Sequence, residues 1–379
     1  MIAVGLMSGT SLDGIDAAMV RVQPVAARYE LDLLDFRTIP YDRALVDGLR
    51  GILPPNPGTV AELAELHGAI GRAFGAAAAL AVGSQRPDYV ASHGQSVYHD
   101  GAASVTLQIG DPFAIREAVR ASVCYDFRSA DCAVGGHGAP LVPYVDQLLF
   151  LSAAEERVAL NIGGIANITH LPTHGKLRAF DTGPGNMLID AFVQRASEGS
   201  LNFDRDGELG LRGIVNPSLL AAMLTDPYFA KPPPKSAGRE QFGSQFLAAH
   251  ESALKSLSIE DGAATLAALS AQTIADAITS CCGRGAAVIV SGGGVHNRAL
   301  IAALKERLAG YYVEPSSSMG ISVDAKEALA FAVLGYETLR GRVANIRQAT
   351  GASKQVPLGA IAPFELANLL AKVEAECAV

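Results

Sequence analysis

The sequence predicts an α/β protein. Short runs of β-branched and apolar residues alternate with longer Ala-rich runs, and clusters of Gly, Ser, Asn and Asp separate many of them. A second observation is that one layout occurs twice, as IAVGLMSGTSLDGIDAAMV near the start and RVALNIGGIANITHL near the middle. Each copy reads as an apolar strand, a tight Gly turn with small polar residues, and a return strand. One such hairpin in each half implies two related lobes, which 379 residues are enough to build. No fixed-period repeat is evident, so solenoids and propellers are set aside.

Taken in order, strands are expected at residues 2–6, 17–22, 89–92, 158–162, 179–181 and 287–290. Helices are expected at 60–82, 187–196, 265–279, 299–308 and 325–339. In the helix after Thr265, the residues Leu266, Leu269, Thr273 and Ala277 fall near one face, the spacing of a core-facing amphipathic helix. Pro and Gly cluster at 53–58, 135–143 and 231–238. The middle cluster is the expected boundary, giving one lobe of 1–135 plus 350–379 and another of 136–349.

Composition narrows the function. There are 30 Lys and Arg against 38 Asp and Glu, a formal charge of −8, with 18% charged and 49% hydrophobic residues. A binder of nucleic-acid backbone needs a dense cationic face, and a disordered chain lacks this much apolar surface. The mean hydropathy of +0.24 raises the question of a membrane. The longest apolar stretch, 73–82, is Ala-rich and flanked by Arg72 and Gly83, too short for ~30 Å of hydrocarbon. The first residues lack a basic leader, so the cytoplasm is the expected compartment. The five cysteines (Cys124, Cys132, Cys281, Cys282, Cys377) contain no CxxC pair. They read as structural, without a disulfide framework or zinc site.

Several segments carry chemistry. In Gly9-Thr10-Ser11-Leu12-Asp13-Gly14-Ile15-Asp16, glycine removes the Cβ that blocks backbone approach, and successive N–H groups beside hydroxyls make an anion cradle. Asp13 and Asp16 suit Mg²⁺, directly or through water, beside phosphates. The same residues also suit an ordinary Asp-Gly hairpin turn. The matching hairpin holds Asn161, Gly163 and Gly164, and two such turns suit clamping a triphosphate from both sides. In Phe180-Asp181-Thr182-Gly183-Pro184-Gly185-Asn186, a carboxylate stands at a strand end before a helix N-terminus, where open α/β sheets bind ligands. An N-capping turn is its plainer reading. The near match to GxGxxG fails at Leu188, against a dinucleotide-binding site.

Ser291-Gly292-Gly293-Gly294-Val295-His296-Asn297 links a strand to a helix, and three successive glycines suit a flat ligand such as a nucleoside as well as a flexible turn. No GxxxxGK[ST] occurs, so an ATP site here is not a P-loop. His93, Gln95, Gln108 and Arg128 stand at strand ends and suit sugar hydroxyls or, for Arg128, a carboxylate; each is equally an ordinary structural group. Ser92 lacks the GxSxG elbow of a hydrolase. Asp324-Ala325-Lys326-Glu327 reads as a capping box, or else Glu327 reaches the ligand.

In order along nearly the whole chain, GLMSGTSLDGID, SHGQSV, LQIGD, DFRSADCAVGGHGAPLVP, NIGGIANIT, FDTGPGN, DRDGELG, PPPKSAGREQF, SGGGVHN, DAKEALAFAVLG and a late TGA resemble the anhydro-N-acetylmuramic acid kinases. That family is a branch of the actin, hexokinase and Hsp70-like ATPase superfamily. The resemblance implies a two-lobed actin-like (ribonuclease H-like) fold, each lobe a mixed sheet flanked by helices, with the active site in a cleft between lobes. It implies a kinase that uses MgATP and water to open a 1,6-anhydro sugar and phosphorylate O6, yielding N-acetylmuramic acid 6-phosphate for cytoplasmic cell-wall recycling. Carried over, Gly9 to Asp16 would grip the ATP phosphates and Gly292, Gly293 and Gly294 would face adenosine, with Asn161, Gly163, Gly164, Gly183, Gly185, Asn186 and Asn297 completing the nucleotide site. Asp181 would be the general base, and His93, Gln95, Gln108, Arg128 and Glu327 would surround the sugar. A homodimer is implied. GGHGAPL, with His137, departs from the family's commoner GGQGAPL. Levoglucosan kinases, which resemble the same family, are the alternative specificity. A non-catalytic sugar or nucleotide sensor is the alternative of another class, and an NAD-dependent oxidoreductase ranks last.

Overall fold

The computed structural model describes every residue except 10, 11, 13, 26, 27, 55, 57, 378 and 379. The strands of its first part are β1 (Ile2–Met7), β2 (Gly14–Val25), β3 (Arg28–Pro40), β4 (Tyr89–Ser92), β5 (Gln95–Asp100), β6 (Val105–Ile109) and β7 (Ser122–Tyr125). There follow β8 (Arg157–Ile162), β9 (Ile165–Leu171), β10 (Arg178–Pro184), β11 (Ala287–Ser291), β12 (Tyr312–Pro315) and β13 (Ala360–Ala362). The chain divides into two compact units, Met1–Leu149 with Ala325–Val379, and Phe150–Asp324. The divisions thus fall at 149/150 and 324/325, away from the expected 135/136 and 349/350. Packing explains the later one: the helix Lys326–Leu339 lies against β1, β2, β4 and β7 of the first unit.

In the first unit the sheet order is β13-β7-β4-β1-β2-β3. β1, β2 and β3 form an antiparallel meander, β4 runs parallel to β1, and β7 runs parallel to β4. In the second unit the order is β10-β9-β8-β11-β12, with β8, β9 and β10 antiparallel and β11 and β12 parallel to β8. Leaving β13 aside, one topology occurs twice, the duplicated mixed sheet of an actin-like ATPase fold. The two expected hairpins are its first two strands in each unit. The first closes at Met7↔Asp16 and the second at Ile162↔Ala166, so the first turn is the longer.

Helices cover the sheets. Helix Val60–Val82 starts in a Thr59/Glu62 capping box and buries Ile70, Phe74, Ala77 and Ala78 against the first sheet. On the Lys326–Leu339 side the approach is closer: a Cβ added at Gly5 would lie 1.8 Å from Ala328 O, and one at Gly335 2.7 Å from Ala91 Cβ. Small residues let this helix sit almost on the sheet backbone, and the Tyr89 hydroxyl donates to Ala332 O (2.8 Å). The helix expected at 265–279 runs over Ile259–Cys281, started by Ser258, whose Oγ accepts from Asp261 N. Every residue from Gly262 to Ala271 is buried, so it is a central helix covered on several sides and not one with a single buried face. Its neighbour Phe192 fits because Gly262 has no Cβ, which would lie 2.1 Å from the ring. Cys124, Cys132, Cys281 and Cys282 are free thiols, and among the described residues no helix is long and apolar enough to cross a membrane.

Candidate active site

In the first unit the parallel strands β1, β4 and β7 bring their C-terminal ends to one edge, followed by residues 8–13, 93–94 and 126–128. Thr10, Ser11 and Asp13 lie outside the described residues. The Ser8 hydroxyl stands 2.8 Å from both Gly14 O and Gln95 Oε1, and Gln95 Nε2 donates to Gly9 O (3.2 Å) and Ser96 O. With the Tyr41 hydroxyl also on Oε1 (3.2 Å), the Gln95 amide is occupied inside the protein. In this arrangement it braces the long hairpin turn. Leu12 and Ile15 are core side chains, so this stretch has only backbone to offer a ligand at those positions.

His93 follows β4 and is buried against Phe331. Its Nδ1 faces Gly94 O (2.9 Å), and its Nε2 accepts from Arg128 Nε (3.0 Å), which fixes the proton on Nδ1. Burial first and the Arg128 charge second push its pKa well below the ordinary value, so the ring is neutral. Arg128 also donates to Gly138 O (2.8 Å). The loop carrying Gly138 is wrapped around Asp131, which is fully buried and accepts from Gly138 N, Asn345 Nδ2 and Thr350 Oγ1 at 2.7–2.9 Å. A Cβ at Gly136 would lie 2.1 Å from Asp131 Oδ2. Asp131 is thus a positioning residue for Arg128 and His93 that sequence reasoning did not single out. His137 lies in this loop between Gly136 and Gly138, with its side chain beside Gly101 and Gly351 and its backbone N–H on Thr350 O (2.7 Å).

Glu327 does not complete a capping box. The cap of its helix is Ala325 without a side-chain bond, and Asp324 pairs with His296 Nε2 (2.8 Å). Burial raises the Glu327 pKa, against lowering by Lys326 and Arg128, with Asp16 and Asp146 raising it further. The adjacent Lys326 forms an ion pair with Asp146 at 2.8 Å, both side chains 3–4% exposed. This buried pair also escaped sequence reasoning, because its partners are far apart in the chain and neither has a local signature.

In the second unit the turns after β8, β10 and β11 share one sheet edge. Gly185 N and Met187 N donate to Gly164 O, and Asn186 N to Gly163 O, at 2.8–3.1 Å. A Cβ at Gly185 would lie 2.3 Å from Gly163 O, so the two turns touch through backbone. Asn186 makes no side-chain cap, whereas Asn297 caps the helix Arg298–Arg307 through Leu300 N (3.1 Å). Gly292, at φ 84°, and Gly294 make room for the end of β8: their Cβ atoms would lie 2.8 Å from Asn161 Oδ1 and 2.2 Å from Ile162 Cγ2. Gly293 faces open space, and Gly163 nearly so, as an approaching ligand requires. Gly183 instead packs on Phe229 and Thr273.

Asp181 lies on β10 beside a bulge at Asp181/Gly183. The segment after Asp226 folds over it: Ala237 N donates to Asp181 Oδ2 (2.8 Å), Asp181 N to Lys235 O (3.1 Å), and the Tyr228 hydroxyl to Asp181 O (2.8 Å). Burial raises the Asp181 pKa to about 7, opposed by the Ala237 N–H and Lys235 and aided by Glu240. A carboxylate poised near neutrality accepts a proton efficiently.

A duplicated ATPase-type sheet with glycine-lined turns on one edge and a poised carboxylate defines a class of phosphoryl-transfer proteins. The sequence pattern of the anhydro-N-acetylmuramic acid kinases matches residues 1–364. Relatives of that name are 39% identical in Caldanaerobacter subterraneus subsp. tengcongensis (95% of this chain, 96% of that one), 41% in Streptomyces coelicolor (96% and 94%) and 42% in Xanthomonas axonopodis pv. citri (95% and 97%). Among solved structures, the activator of 2-hydroxyisocaproyl-CoA dehydratase from Clostridium difficile with bound ADPNP gives a TM-score of 0.43 at 13% identity, over 88% of this chain and 94% of that one. The chain belongs to the anhydro-N-acetylmuramic acid kinase family.

Proposed function

We propose that the protein is an ATP-dependent anhydro-sugar kinase that opens 1,6-anhydro-N-acetylmuramic acid with water and phosphorylates O6. Family membership over nearly the whole chain supports the kinase activity, and the names of its relatives favour the muramyl sugar over levoglucosan. The observation that carries the mechanism is Asp181, a carboxylate held near pKa 7. It takes a proton from water as the water oxygen bonds to C1 and the C1–O6 bond breaks. The O6 so released bonds to the γ-phosphorus, and the bond from that phosphorus to the bridging oxygen of ADP breaks. An inverting glycosidase needs a second carboxyl to protonate its leaving oxygen; here phosphoryl transfer takes up that oxygen instead. A sensor has no need of such a base.

The open glycines of the second unit's edge, Gly163 and Gly293, suit the approach of ATP, with Asn161, Gly164, Gly185, Asn186, Gly292, Gly294 and Asn297 shaping the turns around them. Gly9 to Asp16 serve the phosphates from the first unit. Mg²⁺ keeps several waters and takes one or two carboxylates beside phosphate oxygens. Asp13 and Asp16 are the carboxylates suited to that role, and Asp16 Oδ1 accepts from the Thr38 hydroxyl at 2.6 Å. When bound, Mg²⁺ would neutralise phosphate charge. His93, Gln108, Arg128 and Glu327 hold the sugar. The reading also carries a cytoplasmic setting in cell-wall recycling and a homodimeric assembly, the latter open to sedimentation analysis.

The test is ADP release with MgATP and 1,6-anhydro-N-acetylmuramic acid in ¹⁸O-water. One ¹⁸O at C1 of a phosphorylated product is expected. Phosphorylation without that label would overturn the coupled mechanism, and activity confined to levoglucosan would move the specificity.

A further inference from the structure

β10 is an outer strand of its sheet, so one side of its backbone has no strand beside it. Residues 235–237 occupy that side at Asp181. Asp181 N donates to Lys235 O (3.1 Å), and Ala237 N donates to the carboxylate itself, at Oδ2 (2.8 Å). Among the described residues Oδ1 accepts no hydrogen bond. The two oxygens are therefore unequal: one is held by the protein, and the other is left to take a proton.

The segment is fixed at both ends. Phe229 before it and Phe242 after it stack with ring centres 5.4 Å apart, and Tyr228 meets both edge-on. The Lys235 ammonium donates to Tyr228 O and Phe229 O (both 3.3 Å), carbonyls of the short helix Pro227–Ala230, and stands 4.7 Å from the centre of the Tyr228 ring. The Glu240 carboxylate folds back over Gly238, where a Cβ would lie 2.4 Å from its Oε2. These two charges act on Asp181 with opposite sign: beyond the burial that raises its pKa most, Glu240 raises it further and Lys235 lowers it. The other ionisable neighbours act on this set. Burial and then Lys231 lower the Lys235 pKa, which Asp181 raises, and burial followed by Asp181 and Glu240 keeps the Tyr228 phenol protonated as it donates to Asp181 O.

We infer that residues 235–240 are a clamp on the general base, in which Ala237 N pins Oδ2, Oδ1 receives the proton of the attacking water, and Lys235 and Glu240 balance the carboxylate's charge. Lys235 and Glu240 are thus positioning residues that act on the reaction through Asp181. A segment laid on the outer strand does what a fixed second carboxyl or cation does elsewhere: it sets the pH range in which the base is ready. This assignment rests on the reading of Asp181 as the base in the preceding section.

The test compares full-length wild type with Lys235→Met, Lys235→Arg and Glu240→Gln, each first shown to be folded by its melting transition. Two titrations are followed: the Asp181 carboxyl itself, by ¹³C NMR of protein labelled at aspartate Cγ with the resonance identified by its loss in Asp181→Asn, and kcat/KM for 1,6-anhydro-N-acetylmuramic acid at saturating MgATP. In both, Lys235→Met should move the midpoint to higher pH and Glu240→Gln to lower pH, each by at least about half a unit, short of the ~1–3 units given by an opposite charge in contact. Lys235→Arg should restore the wild-type midpoint. A lost structural contact would instead lower the plateau and leave the midpoint in place. Displacements in the same direction, or a carboxyl titration that neither substitution moves, would overturn the clamp whatever the turnover. A carboxyl titration that moves while the kinetic midpoint stays would keep the clamp and overturn the reading of Asp181 as the base.

Discussion

At the working edge of the first sheet, side chains hold side chains: Gln95 braces a turn, Asp131 anchors a loop, and Arg128 fixes His93. At the equivalent edge of the second sheet the contacts are mostly backbone to backbone, between turns stripped of Cβ atoms at Gly163, Gly185, Gly292 and Gly294. Topology puts the ends of the parallel strands at the same place in both units, but what can be recognised there depends on what the local sequence leaves on that edge. Directional side chains suit a sugar, whose hydroxyl and amide groups differ in kind. Turns stripped of side chains let phosphates and a flat base approach the backbone closely. Asp181 is the exception, a single carboxylate on the edge otherwise built from backbone.

Replacing that exception should have the largest effect. Asp181→Asn is expected to lower turnover on the order of 10²- to 10⁴-fold while nucleotide still binds, as read by calorimetry. Near-normal turnover would remove Asp181 from the chemistry. Because the carboxyl titrates at about 7, wild-type kcat/KM should climb roughly tenfold per pH unit below that value and level off above it. The sign for stability is opposite. A folded pKa above the unfolded one means that the carboxyl's contribution is complete below the unfolded value and is lost as pH rises through about 7. Asp181→Asn should therefore melt higher than wild type at pH 8.

Next comes the buried Lys326–Asp146 pair on the side-chain-built unit. Asp146→Asn should cost about 3–5 kcal/mol in denaturant unfolding, and Asp146→Leu combined with Lys326→Met should recover most of it. A loss below about 1 kcal/mol would show that the pair behaves like a solvated one.

Two glycines sharpen the contrast further. Gly5→Ala would drive a methyl to 1.8 Å from Ala328 O, for an overpacking cost of about 1–3 kcal/mol. Gly293→Ala meets nothing within 4 Å. It should change stability by no more than about 0.5 kcal/mol and show itself in KM for ATP. The smallest effect is expected for Ser8→Ala, about 1 kcal/mol from the turn that Ser8 and Gln95 brace. A larger change there in KM for ATP than in stability would mean that the brace shapes the phosphate turn.

The glycine turns, both hairpins and Asp181 were legible because each is encoded locally: a turn residue next to a strand, or a carboxylate before a Gly-Pro-Gly run. The role of Gln95 was not, since its partners Ser8 and Tyr41 are brought to it only by sheet pairing. The capping box at Asp324 failed because an available imidazole, His296, took the aspartate. β3 went unlisted among the expected strands because its alternation is interrupted: the register slips where Met19 and Val20 face Asp35 and Leu33, leaving Leu33 and Leu34 both exposed. The domain boundary was misplaced for a similar reason. A Pro and Gly cluster marks a loop, whereas the unit is defined by which sheet a later helix lands on.

That later helix has a consequence for biosynthesis. The second unit is one unbroken stretch, whereas the first waits for Lys326–Leu339 and β13 to emerge behind it. At ribosomal speeds of roughly 5–20 residues per second, the β1–β4 surface stays without its covering helix for on the order of ten to fifty seconds. During that interval the nascent first unit exposes the small-residue face around Gly5 and Ala91. The order of emergence therefore leaves the first unit, begun first but completed last, with its sheet face uncovered while the whole second unit is made.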